Sequence, residues 1–133
     1  MILKQLLRSL RNLNDLETAF EIISKDNNAL NLFSVNPAGR NPYFNMVEQQ
    51  PNGYFDLVKK GDFVTRQSAP KVYELNASFY FYRRAFYLNP SPKTITDKSL
   101  VYVMPHMCFD LDHPVDFDFM EYLLVNNKLD FIL

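Results

Sequence analysis

Two aspartates separated by one residue, Asp110 and Asp112, are the side chains of this sequence whose type and spacing best suit chemistry. If the chain is extended there, both point to the same side, because side chains alternate along a strand. Two carboxylates on one face can bind the same divalent cation, and a Mg2+ bound in this way usually completes its shell with water and phosphate oxygens. The pattern favours metal-assisted phosphoryl or nucleotidyl transfer, and two aspartates that merely face solvent in a loop are the alternative.

The residues around this pair offer two further interpretations. His106, Cys108 and His113 are zinc-ligand types within eight residues of one another, but their spacing matches no common structural zinc pattern. Cys108 could instead be a nucleophile, although a buried apolar environment is the commoner state of a cysteine. The carboxylate pair therefore stays the leading interpretation of this segment.

A second polar segment has the sequence Arg66-Gln67-Ser68-Ala69-Pro70. The guanidinium of Arg66 offers a rigid bidentate fork for a carboxylate, which predicts an anionic ligand, whereas an exposed arginine in a polar loop is the simpler reading. Tyr80 follows on a predicted strand, where Phe79 and Phe81 would face inward and leave Tyr80 to line a pocket.

Local patterns indicate an α/β layer that would position these residues. Asn14 and Glu17 resemble a capping pair, and the apolar residues after them have helical spacing, so we expect a helix at about 14–25. Strands are predicted at 30–35, 77–82 and 100–104 from apolar, β-branched and aromatic residues. We also expect a hairpin formed by 44–48 and 54–58 around Pro51-Asn52-Gly53, a short helix at 83–88, and a last helix beginning near Asp116, which would cap it.

Composition excludes several classes of protein. The 133 residues carry a formal charge of −1, with 14 Lys plus Arg against 15 Asp plus Glu, so no basic excess is available for nucleic acid. A single cysteine suits the reducing cytoplasm. No apolar stretch is long enough for a membrane span, and no targeting signal is recognisable in the sequence. Twelve Phe and eight Tyr exceed what one small core can bury, which predicts an interface.

Four different motifs occur in a characteristic order along the chain. They are Asn41-Pro42-Tyr43-Phe44-Asn45-Met46-Val47-Glu48, Arg66-Gln67-Ser68-Ala69-Pro70, Tyr73-Glu74-Leu75-Asn76-Ala77-Ser78-Phe79-Tyr80 and Phe109-Asp110-Leu111-Asp112. Val115-Asp116-Phe117 then leads into a helix. Together they resemble the CMP-sialic acid synthetases, or acylneuraminate cytidylyltransferases, and their relatives that activate legionaminic or pseudaminic acid. The resemblance covers roughly residues 8–125.

The resemblance implies the C-terminal half of a three-layer nucleotidyltransferase fold, with residues 1–133 as a single partial domain and a protruding β-hairpin dimerisation arm at about 42–75. In that family the anomeric hydroxyl of a nonulosonic acid attacks the α-phosphorus of CTP and releases pyrophosphate, on the way to cell-surface polysaccharide. Carried over, Asp110 and Asp112 would be the catalytic residues that hold Mg2+, and Arg66, Gln67 and Tyr80 would bind the sugar acid. The expected protein is a cytoplasmic homodimer that binds neither nucleic acid nor membrane.

The first part of the family pattern is missing. Members begin with a strand and an Arg-, Gly-, Ser- and Lys-containing loop for the CTP phosphates, and of their Gln-Pro-Thr-Ser-Pro-Leu-Arg segment only Leu7-Arg8 is present, with Ile2 in place of the Gln. We therefore expect a truncated or split chain that is inactive alone. The alternative is a non-catalytic, dimerising interaction module derived from the same family.

Overall fold

The structure is a computed structural model that describes residues 12–63, 65, 67–88, 93–108 and 111–131. Predictions made for Arg66, for Asp110 and for the opening residues fall outside these ranges. Contacts divide the chain into two compact units, one formed by residues up to Asn36 and from Leu75 onward, the other by Pro37–Glu74.

Helix α1 spans Leu13–Lys25 and confirms the predicted helix, but the predicted cap at Asn14 is wrong. Asn12 is the N-cap, and its Oδ1 accepts the backbone N–H of Asp15 at 2.9 Å. Ala19 and Ile23 face the core and are buried. At the other end, Arg83 Nη2 donates to the carbonyls of Ile23 and Asp26, which caps the last turn.

Strand β1 (Asn31–Pro37) is the middle strand of a sheet ordered β4-β1-β5, in which β4 is Tyr73–Tyr82 and β5 is Ser99–Val103. β1 and β5 run parallel, from Asn31 opposite Ser99 to Val35 opposite Val103. All three predicted strands are confirmed, and β4 begins earlier than predicted. A core cluster joins α1 to this sheet and consists of Ala19, Ile23, Ala29, Leu32, Phe79, Tyr102 and Met104.

The unit formed by Pro37–Glu74 contains the predicted hairpin. Strands β2 (Val47–Gln49) and β3 (Phe55–Leu57) pair antiparallel, with Val47 opposite Leu57. Gly53 closes the turn at φ +85°, a conformation that L side chains rarely adopt, and its N–H donates to the Gln50 carbonyl at 2.9 Å.

Two helices follow β4. A 3₁₀ helix at Arg84–Leu88 confirms the short helix predicted there, and α2 spans Pro114–Val125. α2 begins two residues before Asp116, which therefore lies within the first turn and is not the N-cap residue. Its Oδ2 accepts the backbone N–H groups of Asp112 and His113 at 2.9 and 2.7 Å, so the carboxylate caps the turn from inside the helix. No helix among the described residues is long and apolar enough to cross a membrane.

Many aromatic side chains lie outside the core, in line with the excess noted in the sequence. Met120 and Leu123 are the buried residues of α2, while Phe117 and Phe119 are exposed. Further exposed aromatic residues are Phe20, Phe44, Tyr54, Phe55, Tyr73, Tyr80, Tyr87 and Tyr122.

Candidate functional site

Asp112 is exposed and lies immediately before α2. Its backbone N–H is held by Asp116, while its carboxylate takes part in no hydrogen bond or ion pair with any residue in the described parts of the chain. An exposed carboxylate on an anchored backbone is a suitable ligand for a hard cation. Asp110, the other predicted ligand, is outside the described residues.

Tyr80 projects from β4 and is 37% exposed, whereas its neighbour Phe79 is buried. This alternation confirms the predicted orientation of the strand. The Tyr80 ring stacks on Tyr82 with centroids 6.1 Å apart and lies 6.2 Å from Phe33, so its face belongs to an aromatic surface. Gln67 is exposed in the unit formed by Pro37–Glu74, and its neighbour Arg66 is outside the described residues.

The zinc interpretation finds no support in this geometry. His106 Nε2 lies 2.7 Å from Asp15 Oδ2, and His106 Nδ1 lies 2.8 Å from the Met107 carbonyl, so both ring nitrogens already have partners. Among the described residues, which include Cys108 and His113, no group of three or more His, Cys, Asp or Glu side chains is arranged to hold a metal ion.

The partner of His106 reveals a buried polar network that the sequence patterns did not indicate. The side chains of Asp15 and His106 are 1% and 4% exposed, and Tyr102 donates its hydroxyl to the second oxygen of Asp15 at 2.7 Å. Both ring nitrogens of His106 lie within hydrogen-bond distance of an oxygen atom, one from the Asp15 carboxylate and one from the Met107 carbonyl. Burial, together with the hydrogen bond and the charge of Asp15, raises the pKa of Tyr102 to about 12.

This network anchors residues 105–108, which we call the β5 exit segment because they follow β5 and lead toward Asp110. Phe131 stacks on the His106 ring with centroids 3.8 Å apart. The Met107 N–H lies 3.1 Å from Asp130 Oδ2, and the Cys108 carbonyl accepts Asn36 Nδ2 at 3.0 Å. Both nitrogens of His106 are engaged, so this side chain ties the segment to α1 through Asp15.

Comparison with known proteins gives two relatives. The chain is 38% identical over 120 residues to post-translational flagellin modification protein B of Campylobacter coli, a match that covers 90% of this chain and 50% of that protein. It is 41% identical over 93 residues to CMP-N,N'-diacetyllegionaminic acid synthase of Campylobacter jejuni, covering 70% of this chain and 39% of that protein. No family model matches the chain. The chain therefore spans half the length of one relative, and its match covers less of the other.

Proposed function

Because the chain is a homologue of a CMP-N,N'-diacetyllegionaminic acid synthase, as its motifs predicted, we propose that it is the C-terminal, sugar-acid-binding part of a cytidylyltransferase of this type. The observation that carries the proposal is the 41% identity to that synthase, which extends over 70% of the chain. The complete enzyme would couple CTP to a nonulosonic acid in the cytoplasm. The anomeric hydroxyl oxygen would form a bond to the α-phosphorus and lose its proton to solvent, while the bond between the α-phosphorus and the oxygen that bridges to the β-phosphorus breaks and pyrophosphate leaves.

The proposed metal ligands are Asp110 and Asp112. Asp112 suits Mg2+, because it offers exposed carboxylate oxygens that the described residues do not use. Mg2+, when bound, neutralises charge on the phosphate during the displacement. The protein's own contribution is positioning, since Asp116 fixes the backbone at Asp112 before any ligand arrives.

Recognition of the sugar acid would involve three side chains. Arg66 would bind the carboxylate of the nonulosonic acid through its bidentate fork, with Gln67 beside it in sequence. The half-exposed ring of Tyr80 would line the pocket, and the stacked ring of Tyr82 supports its orientation.

We further propose that the hairpin unit dimerises and that the chain alone is inactive. Phe44, Tyr54 and Phe55 are exposed on or beside the hairpin, and apolar side chains grouped in this way are typical of an interface. The same observation favours the second candidate, a dimerising module without catalytic activity. Light scattering on the purified protein gives its molar mass in solution. The mass of a monomer would contradict both candidates, because each predicts a dimer.

Mn2+, as a paramagnetic substitute for Mg2+, tests the proposed metal site. Water-proton relaxation should detect binding to the wild-type chain, and Asp112→Asn should abolish it without changing the far-ultraviolet circular dichroism. Asp118→Asn removes an exposed carboxylate from α2, the helix that follows Asp112, and should leave binding intact. Equal binding by both variants would argue against a site at Asp112.

Turnover tests the proposed incompleteness separately. The chain is mixed with CTP, Mg2+ and sialic or legionaminic acid, and released pyrophosphate is measured. We expect no turnover by this chain alone. Robust activity would refute the claim that it is incomplete.

A further inference from the structure

We infer that Asn36 and Asn76 form an amide relay that positions the backbone leading to Asp110 and Asp112. The inference rests on the proposed function of these aspartates as metal ligands. Asn36 lies at the end of β1 and Asn76 on the neighbouring strand β4, so the relay crosses the sheet. Neither asparagine is itself a proposed ligand.

The contacts form a continuous chain of hydrogen bonds. Asn36 Nδ2 donates to the Cys108 carbonyl at 3.0 Å, and Asn36 Oδ1 accepts from Asn76 Nδ2 at 3.0 Å. Asn76 Oδ1 in turn accepts the hydroxyl of Ser34 and the backbone N–H of Ser78, the latter at 3.1 Å. The side-chain oxygen and nitrogen of both asparagines therefore each have a hydrogen-bond partner.

The polarity of the relay is fixed at both ends. The Cys108 carbonyl can only accept, so Asn36 must present its NH2 group there and its oxygen toward Asn76. The Ser78 N–H can only donate, so Asn76 must present its oxygen to that end. The Ser34 hydroxyl accepts the Phe79 N–H at 3.1 Å and donates to Asn76 Oδ1, with the Phe79 carbonyl as a longer second acceptor at 3.3 Å. Only one orientation of both amides satisfies all these groups.

This arrangement fixes the chain on both sides of the aspartate pair. On the upstream side Asn36 holds the carbonyl of Cys108, two residues before Asp110, and on the downstream side Asp116 holds the N–H of Asp112. Asn76 is 6% exposed and Ser34 is 1% exposed, so the upstream anchor is built on the rigid interior of the sheet. Partners that orient ligands in this way influence metal affinity without touching the metal.

Asn31 provides a matched control on the same strand. It is fully buried, donates from Nδ2 to the Thr94 carbonyl at 2.7 Å and accepts the Ser99 hydroxyl at 2.8 Å. Its contacts therefore resemble those of Asn36, but they hold the residues at the beginning of β5, whereas Asn36 holds Cys108 after the end of β5. Loss of Asn31 should lower stability without disturbing the aspartate pair.

The experiment compares Asn36→Leu, Asn76→Leu and Asn31→Leu in the full chain. We expect the first two to weaken Mn2+ binding about 10-fold and to speed amide hydrogen exchange at residues 107–113. Asn31→Leu should leave both readouts unchanged even where it lowers the melting temperature. The double variant at 36 and 76 should be no weaker than either single one, because both break the same relay. If Asn36→Leu does not fold, Asn36→Ser replaces it.

The outcomes separate this inference from the proposed function. If exchange at 107–113 is the same in the Asn36 and Asn31 variants, the relay does not position this segment and the inference is overturned. If exchange rises selectively in the Asn36 and Asn76 variants while the wild-type chain binds no Mn2+, the relay stands and the proposed metal site fails. Selective loss of both protection and Mn2+ affinity supports both.

Discussion

Replacing Asp15 by alanine should destabilise this protein more than the loss of any surface acid. The carboxylate is 1% exposed and accepts from Tyr102 and His106, each at 2.7 Å. Alanine would leave the Tyr102 hydroxyl and the His106 ring nitrogen buried without their partner. Each buried group left without its partner costs about 1–3 kcal/mol, and two groups lose theirs here. That is a large fraction of the roughly 5–15 kcal/mol by which a domain is stable.

The variant Asp15→Asn separates charge from hydrogen bonding. An amide oxygen at this position would still accept the Tyr102 hydroxyl, and its NH2 group would donate to His106 Nε2 in the neutral ring tautomer that carries its hydrogen on Nδ1. Nδ1 would then keep its hydrogen for the Met107 carbonyl. Because the buried groups stay paired, we expect Asn to cost about 1–2 kcal/mol, clearly less than Ala.

Glu21→Ala is the matched control on the same helix. Glu21 pairs with Lys25 at 3.3 Å, but the two side chains are 67% and 79% exposed, so its loss should cost less than about 1 kcal/mol. Urea unfolding at neutral pH gives the free energy of unfolding of all three variants. If Asp15→Ala costs no more than Glu21→Ala, the buried network does not stabilise the fold and the reasoning fails.

Three further predictions concern single residues. The folded pKa of Tyr102 is about 12 against an ordinary value of 10.0, so the free energy of unfolding should fall as pH rises from 10 to 12. Tyr102→Phe should flatten that part of the profile, and an unchanged slope would contradict this. Ala77 has φ +52°, so Ala77→Gly should raise the free energy of unfolding by about 0.5–1 kcal/mol in urea titrations, and a decrease would be inconsistent with strain there. Gly53→Ala should destabilise the hairpin by about 1 kcal/mol through its positive φ, measured as faster hydrogen exchange at 47–57. Gly39→Ala, which also meets open space but has no positive φ, should have no such effect, and equal effects would rule out the backbone explanation.

Local patterns predicted most of the secondary structure, and the start of α1 shows where they fail. Asn12 and Asp15 have the same spacing as Asn14 and Glu17, so sequence alone offers two competing caps. The structure selects Asn12, which places Asp15 in the first turn with its carboxylate toward Tyr102 and His106. A contact with the distant sheet thus decides a local boundary.

Some residues of the candidate site could be predicted from the sequence and others could not. Asp112 and Tyr80 could be proposed from sequence because their spacing and strand position are local properties. Asp15 and His106 are 91 residues apart, and Asn36 and Cys108 are 72 apart, so no periodicity within a window links them. Residue type alone suggests His106 as a zinc ligand. Its actual partner is Asp15 of α1, and the two side chains meet because the sheet packs against α1 near the end of β5.

The central place of β1 has a consequence for the synthesis of the chain. Its apolar residues Leu32, Phe33 and Val35 are synthesised well before β5, because the parallel partner of Asn31 is Ser99, 68 residues later. Until that residue is made, β1 has an edge without its final neighbour, and open edges readily pair with other chains. From the synthesis of β1 to that of β5, the nascent chain therefore carries an apolar strand whose edge is open to pairing with other chains.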